Sequence, residues 1–351
     1  MTAVPPPEEL AARGRAIFER LRDERDVPIP APPDEPAEAG SEDGVELVAA
    51  SVDTVAEVAT PVDDAHLDHE PPLAMAAPPE ATPEPIPEPA PRPLPRVIAV
   101  ANQKGGVGKT TTAINLGAGL ADLGYRVLVL DLDPQGNAST GLGINIRDLQ
   151  SSMYDVILND VPLDDCIEAT SVRNLFVGPA SLDLAGAEIE LVPAFSRELR
   201  VKTALAEVLD DYDFVFVDCP PSLGLLTVNG LAAASEVLVP IQCEYYALEG
   251  LGQLSKNVAL VQKGLNPTLE LSTIVLVMYD ARTKLSDQVV REVRAHFGDR
   301  VCRQVIPRTV RLSEAPSFGQ PIIAFDPTSR GAIAYRELAK EVSGGAPQRA
   351  R

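Results

Sequence analysis

The segment that most constrains this chain is a lysine- and glycine-rich run, KGGVGKTTT at residues 104–112, which follows the apolar run VIAVA at residues 97–101. Its glycines let the backbone turn tightly and present N–H groups to an anion, and a helix that begins after them adds the positive end of its dipole. Strand, loop and helix come in the order that phosphate binding requires. The segment therefore predicts a nucleotide-binding loop.

The side chains of this loop have distinct expected tasks. Lys109 is expected to reach the β- and γ-phosphates, and Thr110 to place its hydroxyl on Mg²⁺. The general pattern G-x-x-x-x-G-K-[ST] lacks its first glycine here, where Gln103 stands, and a second lysine, Lys104, opens the loop instead. The residues expected to contact the nucleotide in this loop are Gly105, Gly106, Val107, Gly108, Lys109, Thr110 and Thr111.

Two further apolar runs end in acids: VLVLDLD at residues 127–133 and FVFVD at residues 214–218. Such runs are typical of buried parallel strands, whose carboxyl ends carry the ligand-binding groups of open α/β sheets. ATP hydrolysis needs a water held in line with the γ-phosphate, and we assign this task to Asp133, with Asp131 supporting the loop. A purely structural role in the turn is the alternative for both. The expected metal site comprises Thr110, Asp133 and Asp218.

Short apolar runs alternate with amphipathic helical stretches from residue 96 onward. The expected strands lie at 97–101, 127–131, 175–177, 214–218, 236–240 and 271–278, with a last strand near 301–305 and a closing helix at 329–342. This alternation predicts an α/β fold, a doubly wound, mainly parallel sheet with helices on both faces.

The first 95 residues differ in composition from the rest. Residues 27–95 hold 17 of the 33 prolines, and residues 1–95 carry a net charge of −15 out of −21 for the whole chain. A segment so rich in proline and acid cannot bury a core, so residues 26–95 are expected to form a disordered acidic linker. The acidity of the whole chain is then a poor guide to its partners, because local charge dominates at short range.

The two ends of the chain carry separate expectations. Residues 1–25 predict a short amphipathic helix, since Leu10, Ile17 and Phe18 share one face. An isolated helix of this length is marginal in water, so it is either a docking motif on a partner surface or a solvated, frayed stretch. Residues 344–351 predict a flexible tail.

Cysteine usage and hydropathy favour a cytoplasmic protein. The four cysteines, Cys166, Cys219, Cys243 and Cys302, form no C-x-x-C pair and have no histidine at ligand spacing, so reduced thiols are expected. No apolar run reaches the roughly 18 residues of a membrane span, and the N-terminus lacks the apolar region of a signal peptide.

Four motifs, NQKGGVGKTTT, DLDPQGN, DCPPSLG and PRTVRLSEAPS, occur in this order. Together they resemble the chromosomal branch of the ParA partition ATPases, in the ParA/MinD superfamily, over residues 96–343. The resemblance implies ATP and Mg²⁺ as cofactors and an ATP-sandwiched homodimer, in which Lys104 reaches phosphates across the subunit interface. It also implies that the partner approaches closely at Gly105 and that Pro307 and Arg308 lie near the adenine. Lys104, Lys109 and Asp133 are the implied catalytic residues.

A basic stretch near the C-terminus is the candidate DNA contact. Residues 281–311 hold eight bases and three acids, with one aromatic residue and no recognisable base-reading module. Contacts with DNA are therefore expected at phosphates and insensitive to sequence. Arg282 and Arg311 are preferred because they match positions assigned to DNA binding in similar proteins. A solvated helix face is the alternative for Arg291 and Arg294.

The resemblance also implies a function. ATP closes the dimer, the dimer binds nonspecific double-stranded DNA on the nucleoid, and slow hydrolysis, stimulated by a ParB-type centromere-binding protein, releases it. A polar scaffold that binds the N-terminal region is a further candidate partner, which the resemblance neither supports nor excludes. The alternative is a MinD-like positioning factor acting on a membrane or polar scaffold, but the C-terminus cannot form the basic amphipathic helix that lipid binding needs. We therefore expect no membrane partner.

Overall fold

The computed structural model describes residues 92–244 and 247–349, without the side chains of residues 247–250. The predicted N-terminal helix at 1–25 and all but the last four residues of the predicted linker at 26–95 lie outside the described residues.

Seven strands build the domain: β1 (Arg96–Val100), β2 (Val127–Asp131), β3 (Glu168–Ala169), β4 (Leu175–Gly178), β5 (Phe214–Asp218), β6 (Glu236–Gln242) and β7 (Glu270–Val277). They form one sheet in the order β3-β4-β2-β5-β1-β6-β7. Neighbouring strands are parallel except β3, which pairs antiparallel with β4. The sequence does not predict β3, because two residues carry no readable alternation.

The α-helices of the described residues are α1 (Lys109–Asp122), α2 (Asn137–Gly141), α3 (Met153–Leu158), α4 (Leu184–Glu190), α5 (Arg200–Val208), α6 (Leu225–Ala233), α7 (Ala247–Gly264), α8 (Lys284–Phe297), α9 (Val310–Glu314), α10 (Ile322–Phe325) and α11 (Arg330–Ser343). Short 3₁₀ turns occupy Leu163–Cys166, Leu209–Asp211, Gly298–Arg300 and Ala315–Phe318. None of the helices in this part of the chain has the length and apolar character that crossing a membrane requires.

The sheet buries apolar side chains on both faces. Along β1, Val97 and Ala99 belong to one apolar cluster, and Ile98 and Val100 to the other. This alternation follows from the period of two in an extended strand, and burial on both faces explains why the strands are continuously apolar. Helices α5 to α8 cover the first face, and α1 and α11 cover the second. The predicted doubly wound fold is confirmed.

The closing helix begins and ends where its capping residues allow. The Ser329 hydroxyl oxygen accepts the N–H of Ala332 at 3.2 Å and caps the start of α11. Gly344 ends the helix with a left-handed φ of 56°, a conformation that glycine adopts without a steric cost. The helix agrees with the predicted segment 329–342 within one residue at each end.

The predicted strand near 301–305 is wrong. Only isolated bridges form beside β7, at Val301 and Pro307, and all residues between them are described. The backbone N–H groups of Arg303 and Gln304 donate instead to the carboxylate of Glu341 on α11, at 2.6 and 3.0 Å. Because this side chain takes the donors that a ladder would use, the segment stays irregular.

Residues 344–349 pack against the domain, in contrast to the flexible tail predicted there. Ala346 is buried, and its carbonyl accepts the hydroxyl of Tyr125. The Gln348 side chain donates to the carbonyl of Leu123 at 2.8 Å, satisfying one of the carbonyls left unpaired at the end of α1. Residues 350 and 351 lie outside the described residues.

Candidate functional site

The glycine-rich loop between β1 and α1 has the backbone of an anion site. Gly106 and Gly108 adopt φ values of 71° and 81°, where an L side chain is strained. No side chain caps the N-terminus of α1, which leaves its first N–H groups available to a phosphate. Gly105 differs in that its φ is not left-handed; a Cβ built on it would have no neighbour within 4 Å, as is also true of Gly106.

The two lysines of the loop occupy different surroundings. Lys109 is buried, and its ammonium donates to the carbonyl of Lys104 at 3.4 Å. Burial lowers the pKa of Lys109, while the nearby Asp218 and Asp133 raise it. The Lys104 ammonium is more exposed and lies at the end of β6, beside Gln242 and Glu244. The structure therefore places Lys109 near Asp133 and Asp218, and Lys104 near a different acid, Glu244.

Asn102 anchors the start of the loop, and sequence reasoning missed it. Its side-chain amide donates to the carbonyl of Pro240 on β6 at 2.8 Å, and its side-chain oxygen accepts the N–H of Lys104 at 3.1 Å. An asparagine directly before a glycine-rich turn favours this second contact, and that is the one signal that could have found it.

Asp131 and Asp133 follow each other at the end of β2 but do different things. Asp131 is fully buried, and its carboxylate accepts the N–H of Asp133 at 3.2 Å and the N–H and hydroxyl of Ser139 at 2.8 and 2.7 Å. Asp133 is partly exposed and accepts the N–H of Gln135 at 3.0 Å. Asp131 thus fixes the loop that presents the more accessible Asp133. Sequence reasoning assigned no role to Ser139.

Asp218 is fully buried at the end of β5, and neither of its carboxylate oxygens has a hydrogen-bond partner among the described residues. Burial raises its pKa well above the usual value and Asp131 raises it further, while Thr110 and Lys109 lower it. A buried carboxylate without donors is destabilising unless a cation pairs with it. Within the described residues no group of three or more His, Cys, Asp or Glu could hold a metal alone. These residues therefore fit a magnesium ion that takes its other ligands from phosphate and water.

Pro307 and Arg308 lie along the outer side of β7. Pro307 pairs with Tyr279 in an isolated parallel bridge, and the N–H of Arg308 donates to the Tyr279 carbonyl at 2.9 Å. The end of β7 also borders the phosphate loop, since a Cβ built on Gly108 would lie 3.8 Å from Val277. The segment that carries the two predicted adenine contacts thus lies at the same edge of the sheet as the loop.

The two arginines preferred for DNA contact are both paired with acids. Arg282 is 87% exposed and forms a two-pronged ion pair with Asp280, at 2.9 and 2.7 Å, which lowers the pKa of Asp280 to about 2. Arg311 contacts Glu314 at 3.1 Å and Asp326 at 3.3 Å. Exposed pairs of this kind contribute little stability, so a phosphate competes with them easily.

Several known proteins are similar to this chain in sequence or in fold. Residues 95–271 match a family profile described as an AAA domain. The chain is 59% identical over 247 residues to the sporulation initiation inhibitor protein Soj of Bacillus subtilis, covering 70% of this chain and 98% of that protein. It is 52% identical over 246 residues to the chromosome partitioning protein ParA of Myxococcus xanthus, covering 70% of this chain and 87% of that protein.

A solved structure of the same fold carries a nucleotide. The crystal structure of cobyrinic acid a,c-diamide synthase from Mycobacterium smegmatis with bound ADP and magnesium is 43% identical and superposes with a TM-score of 0.62, covering 70% of this chain and 93% of that one. The activity in its name differs from those of the other two relatives. The ADP and the magnesium ion bound in that structure are of the ligand classes that the site described above would fit.

Proposed function

Because this chain belongs to the ParA family of chromosome-partitioning ATPases, in the ParA/MinD superfamily, we propose that it is an ATP-driven switch that binds nonspecific DNA as a dimer and releases it after hydrolysis. The observation that carries the proposal is Asp218, a fully buried carboxylate whose oxygens make no hydrogen bond of ordinary geometry among the described residues, placed beside Lys109 and the Thr110 hydroxyl at the mouth of the phosphate loop. A carboxylate this costly to bury points to a cation as its partner, and such a cation can take phosphate oxygens as its other ligands.

ATP and Mg²⁺ are the proposed substrate and cofactor. Backbone N–H groups from Gly105 to Thr111 would contact the phosphates, with Lys109 on the β- and γ-phosphates and Pro307 and Arg308 beside the adenine. Thr110 and Asp218 would hold the metal, with Asp133 close to it. When bound, Mg²⁺ neutralises charge that develops on the phosphates.

Asp133 is the proposed positioning group for the attacking water. Its backbone N–H is fixed by Asp131, which is itself held by Ser139, so the carboxylate enters the site from a rigid turn. A carboxylate in a fixed position orients a water without needing to move during the reaction. Lys104 would complete the site from the partner subunit of the dimer.

DNA binding is proposed for the basic surface around Arg282 and Arg311. Arg282 is paired with Asp280, and Arg311 with both Glu314 and Asp326. These acids lie at the surface, so replacing them with DNA phosphates costs little free energy. Contacts of this kind are insensitive to sequence and sensitive to salt. A ParB-type centromere-binding protein is the proposed partner that stimulates hydrolysis and so releases the DNA.

The membrane-binding alternative receives no support from the described residues. Residues 344–349, which follow α11, pack on the domain through Ala346 and Gln348 and are not helical. Docking of the N-terminal region on a polar scaffold stays a prediction.

Release of phosphate from Mg-ATP tests the enzymatic part. We expect slow turnover that rises when random-sequence duplex DNA and a ParB-type protein are added together. Lys109→Ala should lower it about 100-fold or more, because the phosphates lose their buried cation. Lys202→Ala, which removes an exposed lysine of α5, is the matched control and should leave turnover unchanged. Turnover that survives in folded Lys109→Ala would contradict the assignment.

A further inference from the structure

Lys104 has a resting place on its own chain. Its ammonium lies 3.5 Å from the side-chain oxygen of Gln242, the last residue of β6, and 3.7 Å from a carboxylate oxygen of Glu244. The side chains of Lys104 and Glu244 are 39% and 46% exposed. Both contacts are long and partly solvated, so they hold the lysine weakly.

Gln242 is itself held in the orientation that this contact needs. Its amide nitrogen donates to the sulfur of Met278 at 3.1 Å, which leaves its amide oxygen to face Lys104. Met278 has a left-handed φ of 53°, an uncommon conformation for a residue with a side chain. It lies against the phosphate loop, since a Cβ built on Gly108 would be 4.0 Å from its terminal methyl. The acceptor for Lys104 is therefore fixed by the end of β7.

The same lysine cannot occupy two places. In the proposed dimer, Lys104 reaches the phosphates of the partner's nucleotide, and to do so it must leave Gln242 and Glu244. We propose that Gln242 and Glu244 are positioning residues that hold Lys104 on its own chain and thereby oppose ATP-dependent dimerisation. This inference rests on the proposed function, because it concerns the dimer that the function requires. Because the contacts of Lys104 with Gln242 and Glu244 are weak, attraction of Lys104 to the partner's phosphates is enough to break them.

If Gln242 and Glu244 retain Lys104 on its own chain, two substitutions should change Lys104 accessibility and dimerisation in opposite directions. Glu244→Gln keeps the shape of the side chain and removes the charge facing Lys104, whereas Gln242→Glu adds a second charge there. Measured exposed ion pairs imply changes of about two- to five-fold in each direction. Glu207→Gln is the matched control, because it removes one charge from an exposed glutamate of α5 for which the described residues provide no ion pair.

The first measurement tests, in the full-length protein without nucleotide, whether Gln242 and Glu244 restrict access to the Lys104 amine. An amine-acylating reagent is applied, and the labelling rate of Lys104 is compared by mass spectrometry with that of Lys202, an exposed lysine in the same molecule. Glu244→Gln should raise the Lys104 rate about two- to five-fold and Gln242→Glu should lower it. Glu207→Gln should leave the labelling rates of both Lys104 and Lys202 unchanged.

The second measurement is the dimer dissociation constant in a non-hydrolysable ATP analogue with Mg²⁺, obtained by sedimentation. Glu244→Gln should lower this constant about two- to five-fold, and Gln242→Glu should raise it. Unchanged Lys104 labelling, or unchanged dimerisation despite altered labelling, would overturn the inference. A wild-type chain that stays monomeric at every concentration would instead refute the proposed dimer switch, and labelling would then decide whether Lys104 is held.

Discussion

Asp131 and Asp218 stand opposite each other in the register of β2 and β5, but among the described residues Asp131 accepts three hydrogen bonds of ordinary geometry and Asp218 none, although the Thr110 hydroxyl lies close enough to lower the pKa of Asp218. Two carboxylates buried side by side repel one another, and each disfavours the charged form of its neighbour. The donors around Asp131 make it a structural acid, whereas the bare oxygens of Asp218 suit a cation. This difference between neighbours supports the proposal that Asp131 is the supporting acid and Asp218 the metal ligand.

Asparagine substitutions should separate these two roles. Asp131→Asn puts an amide against the donors of Ser139 and Asp133 and should lower the free energy of unfolding by about 1–3 kcal/mol. Asp218→Asn removes an unpaired buried charge and should leave that free energy unchanged or higher in the absence of nucleotide. It should nevertheless lower Mg-dependent ATP hydrolysis about 100-fold or more. Denaturant titration and phosphate release measure the two effects, and a strongly destabilised Asp218→Asn would contradict this division.

Stability without nucleotide should depend on pH through the same pair. Burial raises the pKa of Asp131 to about 6 and that of Asp218 well above its ordinary value. Aspartate in an unfolded chain titrates near about 4, so the folded state binds more protons above that pH. The pair's contribution to the free energy of unfolding is therefore greatest below about pH 4 and is lost as the pH rises through about 6 and beyond.

Denaturant titration of wild type and Asp218→Asn between pH 5 and 8, with a chelator present, measures this contribution. The wild type should lose stability relative to the variant as the pH rises, and Mg-ADP should remove most of the difference. A difference that stays constant across the range, or that changes in the wild type's favour, would contradict the raised pKa values.

Alanine substitutions at Gly105 and Gly108 should impair the protein for different reasons. Gly108→Ala forces a side chain into a left-handed conformation and should cost about 1–3 kcal/mol and weaken ATP binding. Gly105→Ala meets no neighbour in its own chain, so stability and ATP binding should be kept while ATP-dependent dimerisation is lost. Calorimetric ATP titration and sedimentation separate the two. A fully dimerising Gly105→Ala would show that no partner approaches this glycine.

Removing the two preferred arginines should weaken DNA binding uniformly across sequences. For Arg282→Ala with Arg311→Ala, the logarithmic dependence of affinity on salt should fall by about one unit per lost phosphate contact. Arg336→Ala on α11 is the matched control, since this arginine also pairs with an aspartate, Asp122, at 3.0 Å. Fluorescence anisotropy over a salt series measures both. Equal loss in the control would mean that only overall charge matters.

The elements that the sequence predicts best are the buried strands next to the site. The predicted bounds of β2 and β5 agree with the structure, because strands covered on both faces are continuous apolar runs that end abruptly in acids. The segment at 301–305 is less apolar, since Arg303 and Gln304 interrupt it, and it forms no strand; Glu341, distant in sequence, takes the N–H groups of these two residues. A local pattern carries no information about such a competitor.

The candidate site, too, is predictable from the sequence only where local patterns determine it. Motif spacing identifies Lys109, Asp133 and Asp218 as candidates, because Lys109 follows the glycine-rich loop after β1 and the two acids lie at the ends of β2 and β5. The contact between Lys104 and Gln242 joins residues 138 positions apart and depends on β6 lying beside β1, which no local pattern reports. The pairing of Arg282 and Arg311 with acids is likewise a matter of tertiary placement.

Sedimentation of random-sequence duplex DNA with the purified protein, in ATP and in ADP over a salt series, tests the central claim most directly. Binding should require ATP and weaken with salt. It should persist in Asp133→Ala, which closes the dimer without hydrolysis, and disappear in Lys109→Ala. Equal binding in ATP and ADP, or none under either nucleotide, would contradict an ATP-switched DNA-binding protein.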